Sequence, residues 1–290
     1  MKYIGAHIKK ESGHLLKTIN IIKKAGGNAL QLFVSNPRSA SIPNIQAYEA
    51  IADEINTFCA THDFKLVIHS SYTINLAKEP KVGKKTLDLA DCYWIQLLLA
   101  ELQVSEMIHS VGVVVHVGKY TNQKPENGVM HMFAAIKYIL HQMQGRKMKT
   151  RLILETPAGQ GTELLTTLEE FITFYNQFSA KDKQNLGICL DTAHIWSSGY
   201  DITDYYNIIS ATNASDIAVI HFNNSKKEKG SRVDAHETLL EKSAKIPLQD
   251  MHNFLQHVKP NHMIILETPG DDVAKEISWI LQVQTSSSHA

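Results

Sequence analysis

Histidine is the residue type this chain uses out of proportion: fifteen, against three cysteines and four arginines, in 290 residues. Imidazole beside carboxylate serves general acid–base catalysis and the binding of divalent metals, so position matters more than number. Short apolar runs end repeatedly in such a residue: LVIH in His69, VVVH in His116, LILE in Glu155, GICLD in Asp191, AVIH in His221 and MIILE in Glu267. Each follows directly on residues that must face a core, where an isolated ionised group costs on the order of several kcal/mol. One His or Glu at such a place is as easily a hydrogen-bonded capping group. Six together require counter-charge, and bound cations would be its natural source. Asp191-Thr-Ala-His194 adds a carboxylate and an imidazole on one turn, and Asp234-Ala-His236 adds a pair on one side of an extended loop. The sum is five histidines and four carboxylates with no thiolate among them, which favours zinc, or a metal such as manganese, over sulfur-bound iron. Nine ligands exceed the needs of one ion. Three ions sharing carboxylates would use them all, and such a cluster suits phosphodiester hydrolysis.

Something must hold these residues together, and the apolar runs are the candidates. Eight recur, at residues 3–8, 29–33, 66–69, 113–117, 152–155, 186–191, 217–222 and 263–267, rich in β-branched residues. Longer segments with three- and four-residue apolar spacing lie between them, at 47–59, 84–102, 130–143, 168–178 and 273–284, and read as helices. Eight βα units imply an α/β protein of the TIM (β/α)8 type, with its chemistry at the C-terminal ends of the strands. An open doubly wound sheet is the competing architecture. It would more often carry a glycine-rich phosphate loop after an early strand, and GAHIKK is no such loop. No linker divides the chain, so residues 1–285 are expected to form one domain, with 286–290 as a frayed tail.

Composition excludes some functions and leaves others open. Lys+Arg and Asp+Glu are equal at 29 each, so no global positive field advertises a polyanionic partner. Cys59, Cys92 and Cys189 form no CxxC pair and leave an odd count, which speaks against a disulfide framework. MKYIGAHIKK has no apolar core of a signal peptide, and no run approaches a membrane span, so a cytoplasmic monomer is expected.

Several longer strings resemble the endonuclease IV family, zinc-dependent apurinic/apyrimidinic endonucleases. They are LETPAGQG (154–161), CLDTAHIWSSGYD (189–201), HFNNSK (221–226), GSRVDAH (230–236) and LETP (266–269), with YIGAHI at the start and HSSYTINL at 69–76. The resemblance runs from residue 3 to about 279. It implies a TIM barrel holding three zinc ions, with manganese able to replace zinc at one site. One zinc would be held by His69, His116 and Glu155, a second by Glu155, Asp191, His221 and Glu267, and a third by His194, Asp234 and His236, with Glu155 and Glu267 as catalytic residues. The implied reaction is base excision repair chemistry: hydrolysis 5′ to an abasic site in duplex DNA, leaving a 3′ hydroxyl and a 5′-deoxyribose phosphate. A 3′-diesterase action on 3′-blocked ends would accompany it.

Arg38 and Tyr72 match residues that such enzymes insert into the minor groove. Without the resemblance, Arg38 reads as a solvated loop charge and Tyr72 as a half-buried aromatic. Arg232 would meet DNA phosphate or position the loop of Asp234, and His7 would make a phosphate contact or a contact behind the metal ligands. Gln160, between two glycines, reads as a loop-shaping residue. Three places depart from the family pattern. Asn224 stands where Asp is usual and would orient a ligand less well, the segment after His236 lacks the usual glycines, and no aromatic follows Arg38. Two other functions compete. A single-metal sugar isomerase or epimerase would use Glu155, Asp191, His221 and Glu267 alone, and a non-catalytic DNA-lesion-binding protein would bind without turnover.

Overall fold

The computed structural model describes residues 3–9, 14–259, 261–270 and 273–286. Every apolar run forms a strand: β1 (Tyr3–His7), β2 (Ala29–Leu32), β3 (Lys65–His69), β4 (Gly112–His116), β5 (Arg151–Glu155), β6 (Leu186–Asp191), β7 (Ile217–His221) and β8 (Met263–Leu266). Each pairs in parallel with the next, and β8 closes on β1 from Tyr3↔Met263 to Ala6↔Leu266. The closed barrel leaves none of these eight strands as an edge.

Strand periodicity decides what faces the axis. Ala29, Val67, Val114, Ile153, Cys189, Val219 and Ile265 pack together as the barrel's interior, while Val113, Val115, Leu152, Leu154, Ile188 and Leu190 join the larger core beneath the helices. Side chains alternate across a strand, so the next inward positions, two residues on, are Gln31, His69, His116, Glu155, Asp191, His221 and Glu267. The same step from Gly5 reaches His7. Gly5 must be glycine, because a Cβ there would stand 1.5 Å from Ala29 O of the adjacent strand. All eight strands therefore deliver a polar residue to one layer at the C-terminal mouth.

Among the described residues, ten α-helices lie between and after the strands: α1 (Leu15–Lys24), α2 (Ile45–Glu49), α3 (Ala52–Thr61), α4 (Tyr93–Met107), α5 (Pro125–Gly145), α6 (Leu168–Tyr175), α7 (Thr192–Ser197), α8 (Ile202–Asn213), α9 (Leu248–His257) and α10 (Val273–Ser286). The helix expected at 47–59 is two, because the chain breaks at Ala50, which caps α2, and Ile51, which precedes α3, while the apolar spacing continues across the join. The helix expected at 84–102 starts only at Tyr93. Its first part is an antiparallel ribbon, Lys81–Val82 with Lys85–Thr86, turning on Gly83 at φ 60°, followed by a 3-10 turn. Helices α1, α7, α8 and α9 carry no such expectation from the sequence. Helix α10 takes in Ser286, the first residue of the expected tail, and residues 287–290 lie outside the described residues. Among the described residues, no helix is long and apolar enough to cross a membrane.

Candidate metal centre

At the mouth, Glu155 occupies the middle of the inward layer and is almost wholly buried. Its two oxygens face different histidines. Oε2 lies 3.5 Å from His69 Nε2 and 3.1 Å from His116 Nε2, while Oε1 lies 2.9 Å from His221 Nδ1 and 3.6 Å from His194 Nδ1. His221 Nδ1 is also 3.1 Å from Glu267 Oε2 and 3.8 Å from Asp191 Oδ2. On the far side, Asp234 Oδ1 stands 3.2 Å from His194 Nε2 and 3.3 Å from His236 Nε2. All nine residues expected from the sequence thus converge. The ligand atoms of His69, His116 and Glu155 lie within 4.8 Å of one another, as do those of Glu155, Asp191, His221 and Glu267. Asp191 has a further contact that the sequence did not suggest: it lies 3.4 Å from His236 and forms a third compact group with His194 and His236.

The fit to metal ions rests on how the donors are turned. His69 Nδ1 is bonded to Ser70 O at 2.9 Å, His194 Nδ1 to Thr156 O at 2.8 Å and His236 Nδ1 to Glu267 O at 3.3 Å. A ring nitrogen against a carbonyl must carry a proton, which in the neutral ring a metal needs leaves each Nε2 lone pair aimed into the cluster. Glu155 Oε2, His194 Nε2 and His236 Nε2 are buried there without hydrogen-bond partners, although carboxylate and imidazole atoms face each other closely. Buried polar atoms are ordinarily satisfied, and lone pairs that converge without hydrogen-bond alignment suit a shared cation.

Local sequence explains the placement of the loop ligands. Asp191 caps α7, its Oδ1 accepting from His194 N at 2.8 Å, so the DTAH string sets both residues by one helical turn. His236 comes from a distant loop. The antiparallel pair Asn224–Ser225 with His236–Glu237, in register Ser225↔His236, brings it back to the end of β7. Gln160 does more than shape its turn: its Oε1 accepts from Asp234 N at 2.8 Å and joins that loop to the one after β5.

Asn224 does not touch a candidate ligand. Its side chain bonds Ile246 O, Ile246 N and Ser225 N, and the donor to Ile246 O is one that an aspartate lacks. The orienting residue is its neighbour Asn223, which donates to Asp191 Oδ2 at 2.8 Å and accepts from Glu267 N at 2.7 Å. Gln31 was also hidden in the sequence. It is wholly buried, and it bonds His221 Nε2 at 2.8 Å and Glu267 Oε1 at 2.6 Å.

Electrostatics show what the cluster demands. Burial alone would raise the Glu155 carboxyl, yet His116 and His221 hold it well below the usual range. Glu267 and Asp234 are likewise depressed against burial, by His221 and His194 first. Burial would lower His194 and His221, but Asp191 and Asp234 raise the first, and Cys189 with Glu267 and Glu155 the second, well above an ordinary imidazole. Protons on histidine thus balance the carboxylates, a role divalent cations would take over by displacing them.

The other sequence candidates sit at or behind the rim. His7 is 3.1 Å from Glu267 Oε1 and 3.0 Å from Gln31 Nε2, so it backs Glu267. Tyr72 is 57% exposed and places its ring 5.3 Å from Phe33 and 5.6 Å from His69, at the wall of a cleft of about 1040 Å³. Arg38 is exposed on the loop after β2, and Arg232, at φ 54°, is exposed on the loop that leads to Asp234.

The loops of Arg38 and Tyr72 are bound to each other. Tyr72 N donates to Pro37 O, and Ser71 Oγ lies among Pro37 O, Ser39 O and Thr73 Oγ1. Beneath them Glu101 of α4, wholly buried, accepts from Ser35 Oγ at 2.5 Å and Ser71 N at 3.1 Å. Burial pushes its carboxyl up to about 7 in spite of these bonds. An acid whose folded pKa is raised contributes most to stability below its unfolded value of 4.5, and that contribution is lost as pH rises through 7. The loss amounts to about 3 kcal/mol at most. Glu101→Gln keeps the acceptor but cannot ionise, so its melting temperature should gain on the wild type between pH 5 and pH 8. An offset that does not vary with pH would sink this account.

Comparison with known proteins agrees with the geometry. The model of the family described as xylose isomerase-like TIM barrel matches residues 19–283. A Clostridium botulinum protein named "Probable endonuclease 4" is 29% identical over 282 residues, covering 93% of this chain and 94% of its own. A Campylobacter fetus protein of the same name is 30% identical over 252 residues, covering 82% and 83%. Among solved structures, endonuclease IV from Thermus thermophilus superposes with a TM-score of 0.71 at 23% identity, covering 99% of both chains. A D-tagatose 3-epimerase-like protein superposes with 0.72 at 14% identity, covering 98% of both. The shared barrel therefore does not separate nuclease from sugar enzyme.

Proposed function

The chain belongs to the xylose isomerase-like TIM barrel family and, within it, to the endonuclease IV proteins, and on that premise we propose that it hydrolyses the phosphodiester 5′ to abasic sites in duplex DNA. The products would be a 3′ hydroxyl and a 5′-deoxyribose phosphate, and the same centre would act on 3′-blocked ends. The observation that carries this reading is the size of the donor set. Glu155, Asp191, His221 and Glu267 form a group that one ion would satisfy, and a single-metal sugar enzyme needs no more. Here His69 and His116 flank it on one side, and His194, Asp234 and His236 on the other.

The nine residues would hold three zinc ions in the sets that the family resemblance implies, with Glu155 shared between two. Bound ions would polarise the phosphate oxygens and lower the pKa of water. The protein's own part is placement. Glu155 and Glu267 bring negative charge to the floor of the cleft, balanced by fixed imidazoles, while Lys9 and Lys119 line its walls and would attract phosphate. Tyr72 and Arg38, on tied loops at the rim, would enter the minor groove beside the lesion, with Arg232 meeting backbone phosphate.

The test is a labelled duplex with one tetrahydrofuran abasic analogue, which cannot undergo β-elimination. A nick 5′ to the analogue that ends in a 3′ hydroxyl is expected. Binding without incision by zinc-loaded protein would favour a lesion-binding role. One metal per chain would favour the sugar enzyme, whose four-residue set is also present.

A further inference from the structure

Three of the five histidines in the cluster are oriented by main-chain carbonyls: His69 by Ser70 O, His194 by Thr156 O and His236 by Glu267 O. Side-chain substitution cannot remove those acceptors. His221 is held differently and the other way round. Its Nδ1 faces Glu155 Oε1 at 2.9 Å and Glu267 Oε2 at 3.1 Å, and its Nε2 meets a side chain, Gln31 Oε1, at 2.8 Å.

The orientation of the Gln31 amide follows from its other neighbour. Gln31 Nε2 lies 2.6 Å from Glu267 Oε1, and an ionised carboxylate only accepts, so the amide nitrogen belongs on that side. The amide oxygen is then left facing His221, and it too only accepts. His221 Nε2 must therefore carry a proton. In a neutral ring that leaves the lone pair on Nδ1, aimed between Glu155 and Glu267. Gln31 is wholly buried at the inward position of β2, the strand whose inward residue is neither imidazole nor carboxylate.

We propose that Gln31 is a positioning residue for the metal centre, fixing the His221 tautomer and holding Glu267 so that both present their ligand atoms to one ion. This rests on the reading of the cluster as a metal site. Outer partners of this kind are worth about 10- to 100-fold in metal affinity.

The experiment is zinc titration of the whole protein against a chromophoric chelator, comparing wild type with Gln31→Met, an unbranched side chain of similar length that offers neither bond. One zinc equivalent should bind about 10- to 100-fold more weakly in the variant while the others keep their affinity, and incision should recover at saturating zinc. Wild-type affinity at every site in a folded Gln31→Met protein would overturn the proposal. If the wild type itself takes up no zinc, the metal-centre reading falls as well, so the two failures are distinguishable. A measurement on the wild type alone guards against a variant that does not fold. In cadmium-113-loaded protein, metal coupling should appear on His221 Nδ1 with a proton on Nε2, and coupling on Nε2 would overturn the assignment.

Discussion

Glu155→Ala should abolish incision of an abasic duplex in a protein that still folds, whereas Arg38→Ala should leave turnover nearly intact and weaken substrate engagement. Glu155 faces His69 and His116 with one oxygen and His221 with the other, so its removal breaks two of the three donor sets at once. The loss in kcat should exceed by a wide margin the roughly 100-fold that an outer partner of a metal ligand can cost. Arg38 lies exposed on a loop at the rim and touches none of the nine donors. An exposed cation that engages the duplex beside the lesion contributes to ground state and transition state alike, so its loss should raise KM about tenfold with kcat little changed, and less so at high salt, where screening already weakens the contact. Steady-state kinetics on the tetrahydrofuran duplex, with circular dichroism as the control for folding, separate the two. Equal losses of kcat in both variants would defeat the division into metal-holding and substrate-engaging residues.

That division was partly legible in the sequence, and the reason is the two-residue period of a strand. Where an apolar run stops on His or Glu, the inward alternation forces that residue to the barrel mouth, which made six of the strand-end positions readable. Gln31 escaped because its run continues through Leu32 to Phe33, so its polar residue lies inside the apolar string rather than at its end. His7 was found with its task left between a phosphate contact and a contact behind the ligands, since nothing in YIGAHI shows that the last strand returns beside the first and sets Glu267 against it.

Loop ligands posed a different difficulty. Asp234 and His236 could be identified as a spaced pair, but their arrival at His194 depends on the Ser225↔His236 register and on the Gln160 bond to Asp234 N, both long-range. Asn224 shows the opposite hazard. Its string suggested a weakened support for a ligand, while the backbone turns its side chain toward Ile246 and gives that support to Asn223. Glu101 was invisible because a glutamate on an amphipathic helix ordinarily meets water, and only the packing of α4 under two loops buries it.

Chelation should have the other large effect, acting on stability and activity together. Without cations the cluster is balanced by protons on His194 and His221, whose affinity for them is raised by the acidic side chains around them, Asp191 first for His194 and Cys189 first for His221. Divalent ions bound at the proposed centre would replace those protons and would bind only the folded arrangement. At about 1,000 times its dissociation constant, each independently bound ion adds about 4 kcal/mol to stability, so stripping the ions should lower the melting temperature markedly while the apolar barrel interior still folds. Incision should vanish with the ions and return on zinc addition, with manganese able to restore it at one site. Because imidazoles must lose protons to bind, zinc affinity should fall as pH drops, and uptake in weakly buffered solution should release protons. Calorimetry in buffers of different ionisation enthalpy would count them. An unchanged melting temperature and full incision after exhaustive chelation would mean that the nine converging side chains serve the fold and not a metal.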